Sequence, residues 1–209
     1  DIKLKLGTMK VVRLVLIMVV VLSAAMSVNA QKKNEKTVIF NANLHCESCK
    51  AKVEKNIPYE KGVKVVLNPA PACSLPESLF QYLYMITPNR IEAEMLTGVK
   101  INSKEDVAMA AGVLYRTGVK TIIITLGNEG SFVREGEKTY YVDAYKVVPV
   151  DTTAAGDTFN GAVCVGVSEG MSLEHAVLFA SKASSISVTR MGAQSSIPYR
   201  KALDMNNLV

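Results

Sequence analysis

The stretch Asp151-Thr152-Thr153-Ala154-Ala155-Gly156-Asp157-Thr158-Phe159-Asn160-Gly161-Ala162 decides the fold. It follows an apolar, strand-like run, Val147-Val148-Pro149-Val150. It opens a helical run that continues through Val163, Val165 and Val167 and stops at Gly170. A small-residue turn between strand and helix leaves backbone N–H groups free at the helix start, where the dipole favours negative charge. Phosphate suits such a cradle. Asp157 stands at its mouth, where the helix terminus keeps the carboxylate ionised and able to accept a proton. A carboxylate beside a phosphate cradle is what phosphoryl transfer to an alcohol requires. The plainer alternative is a helix N-cap aspartate after a tight turn, since caps favour Asp.

Outward from this stretch, strands and helices alternate. Leu173 to Val188 forms a long helix on the carboxyl side. On the amino side, Thr139 to Tyr145 and Ser131 to Val133 read as two antiparallel strands around Arg134-Glu135-Gly136-Glu137. Val119 to Thr125 is a continuous buried strand, followed by the glycine-bearing turn Leu126 to Gly130. Ser103 with Asp106 reads as a capping box, and Val107, Ala110, Ala111 and Leu114 form the apolar face of the helix it opens. Ile91 to Leu96 is a helix closed by Gly98, and Tyr84-Met85-Ile86 is a short strand. Val65 to Ala72 is a buried strand ending in a proline-rich turn. This β/α alternation predicts an α/β fold, a mostly parallel sheet with helices on both faces, over 65–209.

The amino end has a different character. Lys10 and Arg13 precede the apolar run Leu14 to Leu22, and Ser27-Val28-Asn29-Ala30 supplies small residues before Gln31. That is the pattern of a secretory signal peptide over residues 1–30, with an uncleaved membrane anchor as the alternative. The 209-residue chain carries a net charge of +5, but its Lys and Arg are spread out. With no basic stripe interleaved with aromatics, no nucleic-acid partner is expected.

Between the two lies His45-Cys46-Glu47-Ser48-Cys49, after the strand-like Thr37 to Leu44 and before a lysine-rich helical stretch. The dipole and the lysines lower thiol pKa there, which suits a soft metal (Cu⁺ or Zn²⁺) or a redox pair. A Cys46–Cys49 disulfide is the other reading. Residues 31–64 resemble the first strand and helix of the heavy-metal-associated domain, a βα fragment of a ferredoxin-like metal-carrying fold. The family's usual Met is replaced by Leu44, and its remaining elements do not follow.

From Val65 to about Leu203 the chain resembles the carboxy-terminal half of the ribokinase family, within the phosphofructokinase-B-type carbohydrate kinases. The motifs come in the family's order: Asn68-Pro69-Ala70-Pro71, then Thr87-Pro88-Asn89 with Glu92-Ala93-Glu94, then Thr125-Leu126-Gly127 with Gly130. Asp151 to Ala162 and Thr189-Arg190 with Gly192-Ala193-Gln194 complete the set.

The resemblance implies an ATP-dependent transfer of the γ-phosphate to a pentose hydroxyl, ribose above all. Asp157 is then the catalytic base, and the N–H groups of Ala155, Gly156 and Asp157 stabilise the transferring phosphate. Thr125, Gly127 and Gly130 line the nucleotide site, with Ser181 on the adenine side where the family often has His. Asn89 and Glu92 lie near the phosphates, and Glu92 organises Mg²⁺ through water. Asp151, Thr153, Ser187, Arg190, Gly192 and Ser196 enclose a monovalent cation, K⁺, mostly through backbone oxygens. Of the sugar contacts only Asp157 is matched, so the chain as written is expected to phosphorylate ribose poorly. Complete family members are cytoplasmic and often homodimeric, which conflicts with an export signal. The chain reads as a chimera joined near Lys64, with a secreted protein binding metal through Cys46 and Cys49 as the alternative.

Overall fold

The structure is a computed structural model that describes residues 64–72 and 75–203. The segment read as a signal peptide, Cys46, Cys49 and nearly all of the stretch read as a metal-domain fragment lie outside the described residues.

Five strands form one sheet in the order β1-β2-β3-β4-β5: β1 Val66–Leu67, β2 Met85–Ile86, β3 Thr121–Thr125, β4 Ser131–Glu135 and β5 Lys138–Val142. β1, β2 and β3 are parallel, with Val66 opposite Met85 and Met85 opposite Thr121. β4 is antiparallel to β3 and β5 to β4, so four of the five strands point the same way. The expected α/β class is what the chain adopts. The strand read from Val119 to Thr125 begins at Thr121, is central in the sheet, and is parallel on its β2 side only.

The hairpin is tighter than the sequence predicts. Arg134 pairs with Thr139 and Glu135 with Lys138, leaving a two-residue turn at Gly136-Glu137. Gly136 has φ +61°, the left-handed conformation that lets so short a turn match the strand twist.

Period-2 alternation sorts side chains to two faces. Ile86, Ile122, Ile124 and Phe132 pack with Val107, Ala110, Ala111 and Leu114 of α3 (Lys104–Arg116) and Ala93 of α2 (Arg90–Thr97). The short α1 (Glu77–Phe80) adds Phe80 to this layer. Met85, Ile123, Val133 and Val142 face the other way, onto Phe159 and Val163 of α4 (Ala155–Ser168) and Val177 and Ala180 of α5 (Leu173–Val188). Each large aliphatic side chain so buried contributes about 1.5–3 kcal/mol. Ser103 and Asp106 form the expected reciprocal capping box, and Gly98 closes α2 at φ +73°.

Two expected strands need correction. Only Val66–Leu67 of the Val65–Ala72 run is a strand, because Pro69 and Pro71 have no N–H to give a ladder. The Val147–Val150 run is no strand at all, and Val148 is 84% exposed. Pro149 again lacks a donor. The N–H groups of Val150 and Asp151 both turn to the Val188 carbonyl at the end of α5, at 2.7 and 3.1 Å.

Candidate active site

The expected site residues fall into three groups, each built by a different local device. The first lies at the carboxyl ends of the parallel strands, where open α/β sheets place their ligand crevices. Asn89, just beyond β2, forms a parallel bridge with Thr125 at the end of β3, and the Thr125 N–H donates to the Pro88 carbonyl at 3.0 Å. The Asn89 side chain accepts the Glu92 N–H at 2.9 Å, and Glu92 Oε2 accepts the Asn89 N–H at 2.7 Å. Both residues expected near phosphate and Mg²⁺ therefore cap α2 as well. Glu92 is 7% exposed. Burial pushes its carboxyl above the usual range, and the Asn89 N–H opposes that push.

Thr125 leads into the turn Gly127–Glu129, and an Arg90–Glu129 ion pair ties that turn to the start of α2. The turn's two glycines differ in kind. Gly127 has φ +64°, and a Cβ there would meet nothing within 4 Å. Gly130 has φ +91°, and a Cβ would sit 2.0 Å from the Val142 carbonyl oxygen. Packing against the end of β5 is sufficient reason for glycine at 130; at 127 the reason is backbone conformation alone.

The second group is the start of α4. Ala154 is left-handed, with φ 60° and ψ 13°, and among the described residues it is the one non-glycine with positive φ. That conformation costs a residue with a Cβ roughly 1–2 kcal/mol. Of the three amides expected to face phosphate, that of Ala155 is already bonded to the Thr152 carbonyl at 3.2 Å. Those of Gly156 and Asp157 have no acceptor among the described residues. Both residues are exposed, and nothing lies within 4 Å of where a Gly156 Cβ would stand. Asp157 occupies the first turn of the helix with its carboxylate in the open.

The third group lies where the loop before α4 meets the loop after α5. Asp151 Oδ1 accepts the Thr153 N–H at 2.9 Å and Oδ2 accepts the Gly192 N–H at 2.8 Å. Hydrogen bonds from Thr153, then from Gly192, hold the Asp151 carboxyl below the ordinary aspartate range. The fully buried hydroxyls of Ser187 and Ser196 lie 2.8 Å apart, and Thr158 Oγ1 reaches Ser187 at 3.4 Å. Arg190 is exposed, and its N–H donates to the Ser187 carbonyl. Ser181 is half-buried in the middle of α5, and no hydrogen bond joins it to the first group.

Hydroxyls that the sequence did not single out connect the second and third groups. Ser184 Oγ donates to the Ala155 carbonyl at 3.0 Å, and Thr158 Oγ1 donates to the Ala154 carbonyl at 2.8 Å. No residue pattern marks them, because Ser184 reaches its acceptor across the α4–α5 interface. Among the described residues three further polar atoms are buried without partners: Asn160 Oδ1 in α4, Asn68 Oδ1 just beyond β1 and the Tyr140 hydroxyl in β5. Asn68 belongs to the Asn-Pro-Ala-Pro motif, which is the signal that could have found it. Cys164 is half-buried, and burial raises its thiol, which makes it an inert packing residue. A shallow groove lined by Tyr141, Asp143, Tyr145, Glu174 and Leu178 contains none of the expected site residues. Among the described residues no three His, Cys, Asp or Glu side chains converge to hold a metal ion.

Comparison with known proteins places this geometry in context. Residues 23–200 match the model of the pfkB family carbohydrate kinases, a range that begins inside the segment read as a signal peptide. The chain is 46% identical over 145 residues to a ribokinase of Haemophilus influenzae, covering 69% of this chain and 47% of that one. Among solved structures it resembles a ribokinase of Thermotoga maritima, with a TM-score of 0.67 and 40% identity over 75% of this chain and 51% of that one. It also resembles an Arabidopsis thaliana ribokinase complexed with ribose and ATP. The TM-score there is 0.65, with 34% identity over 68% of this chain and 46% of that one. The chain spans about half the length of the curated relatives it matches.

Proposed function

The chain belongs to the pfkB family of carbohydrate kinases, and from that premise we propose that it carries the nucleotide site and the proton acceptor of a ribokinase-type phosphotransferase. The donor is ATP and the acceptor a pentose hydroxyl, with ribose the first candidate because similar chains are ribokinases. The observation that carries the reading is the start of α4. There the Gly156 and Asp157 N–H groups have no acceptor among the described residues, in the same turn as an open carboxylate and within three residues of a left-handed alanine.

In the proposed reaction Asp157 takes the proton from the sugar hydroxyl as its oxygen attacks the γ-phosphorus. The bond from that phosphorus to the β–γ bridging oxygen breaks, and ADP leaves. The Gly156 and Asp157 amides donate to the γ-phosphate oxygens as charge builds there. Thr125 and Gly127 line the nucleotide, and Ser181 lies on its adenine side. Gly130 shapes the turn.

Asn89 and Glu92 are the residues that would hold Mg²⁺. A single carboxylate, half committed to a helix cap, suits an ion that keeps much of its water. When bound, Mg²⁺ neutralises phosphate charge. Asp151, Thr153, Ser187, Arg190, Gly192 and Ser196 would enclose K⁺. The lowered Asp151 carboxyl fits that role, since it stays anionic across the neutral range.

The test is titration of the full chain with MgATP, followed by amide NMR and calorimetry, beside a ribose-dependent ADP-release assay. Saturable binding that shifts Gly156, Asp157 and Gly127 and weakens in Gly156→Ala supports the reading. Absence of any response at millimolar MgATP overturns it.

A further inference from the structure

We propose that Ser184, on α5, is a positioning residue that aims the Gly156 N–H into the anion-facing side of the α4 turn, with Thr158 holding the peptide before it. The inference rests on the phosphoryl-transfer reading of that turn. Its physical basis is peptide planarity: the carbonyl of residue i and the N–H of residue i+1 share one rigid plane and point in opposite directions. Holding one end therefore aims the other. The Ser184 hydroxyl donates to the Ala155 carbonyl at 3.0 Å, so it fixes the plane whose other end is the Gly156 N–H. Thr158 is 5% exposed. It donates to the Ala154 carbonyl twice, from Oγ1 at 2.8 Å and from its N–H at 2.9 Å. It thereby fixes the plane ending at the Ala155 N–H, which Thr152 accepts.

The turn needs such restraint. Ala154 is left-handed without being glycine, and it offers no side-chain cap to the helix. Nothing lies within 4 Å of where a Gly156 Cβ would stand, so no side chain at this position helps to pack its peptide in place. A hydroxyl from the neighbouring helix adds a hold on the Ala155 carbonyl beyond the helix's own i→i−4 bonding. It also places the aim of the amide under the control of the α4–α5 interface, because Ser184 lies one turn before the buried Ser187–Ser196 pair.

The experiment compares wild type, Ser184→Ala and Ser184→Thr in the full chain. The ¹⁵N order parameter of the Gly156 amide is measured without ligand, and MgATP affinity by titration. Alanine is a good helix former, so the fold is expected to survive, with the Ile122–Ile124 amides as the internal check. Ser184→Ala should lower the Gly156 order parameter and weaken MgATP binding about three- to tenfold, the scale of one hydrogen bond. Ser184→Thr, which keeps the hydroxyl, should retain both. An unchanged Gly156 amide and affinity in Ser184→Ala overturns the proposal, and so does Ser184→Thr behaving like alanine. If MgATP moves no amide of the turn even in wild type, the phosphoryl-transfer reading fails. The ligand-free order parameters then still decide whether Ser184 holds the Gly156 peptide.

Discussion

Asp151 and Gly192, 41 residues apart in the chain, are joined by a 2.8 Å hydrogen bond from the glycine N–H to the aspartate Oδ2. With the Thr153 N–H on its other oxygen, this carboxylate closes the loop before α4 onto the loop after α5. The two loops carry most of the residues assigned to a monovalent cation, so the relationship has a pH consequence. Hydrogen bonds from Thr153 and Gly192 lower the folded-state pKa of Asp151. The stabilisation is therefore present above the ordinary aspartate range and is lost as pH falls through the lowered folded value. Asp151→Asn should be less stable than wild type at neutral pH, and the two should converge on acidification. Denaturant midpoints across that range check the sign, and the Gly192 amide shift reports the bond directly.

Gly130 and Gly156, both assigned to the nucleotide site, should behave in opposite ways when replaced by alanine. A Cβ at 130 would stand 2.0 Å from the Val142 carbonyl oxygen, in a backbone conformation closed to other residues. Gly130→Ala should cost at least about 3 kcal/mol and unfold much of the protein. Gly156→Ala meets nothing within 4 Å, so its stability should stay within about 0.5 kcal/mol of wild type. Any loss of nucleotide binding there belongs to the ligand. Thermal melts of the two variants separate the cases.

Most features that depend on neighbours in the chain were legible in the sequence, and contacts between distant segments were not. The Ser103–Asp106 cap, the Gly98 stop and both ends of α5 follow from local periodicity and capping chemistry. The alternation of Ile122, Ile123 and Ile124 between two cores was legible only as a continuous apolar run, since both faces of β3 are covered. Val147–Val150 misled because apolar content alone suits a strand, whereas the segment's amides go to Val188. Asn89 and Glu92 were read as phosphate and Mg²⁺ residues, and their mutual hydrogen bonds, a local feature, went unread. Ser184 left no trace in the sequence, because its acceptor lies on another helix.

Glu92 gives a pH prediction of the opposite sign. Burial raises its folded-state pKa, so its contribution is fully present below the ordinary glutamate value and is lost as pH rises through the folded one. Glu92→Gln keeps an acceptor for the Asn89 N–H and has no charge to desolvate. Wild type should therefore lose stability relative to Glu92→Gln as pH is raised from below the ordinary glutamate range to neutral. Glu92→Ala, which removes half the capping box, should be less stable than Glu92→Gln by about 1 kcal/mol. Chemical denaturation at the two ends of that range distinguishes a desolvated carboxyl from a carboxylate that stabilises the fold by its charge.

Asp157→Asn tests the assignment of the base, and its value lies in separating chemistry from binding. The side chain is exposed and shares no hydrogen bond with the described residues, so only its favourable position at the helix start is lost. That loss is about 0.3–1 kcal/mol. In residues Val65 to Leu203 joined to the amino-terminal half of a ribokinase, the substitution should lower kcat at least about 100-fold, the usual scale for a missing general base. Nucleotide affinity should hold or tighten slightly, because a negative charge next to the γ-phosphate has been removed. Steady-state kinetics with ribose and direct titration with MgATP read the two effects independently. An intact kcat with weakened ATP binding would make Asp157 a structural or metal-site residue and place the proton acceptor elsewhere.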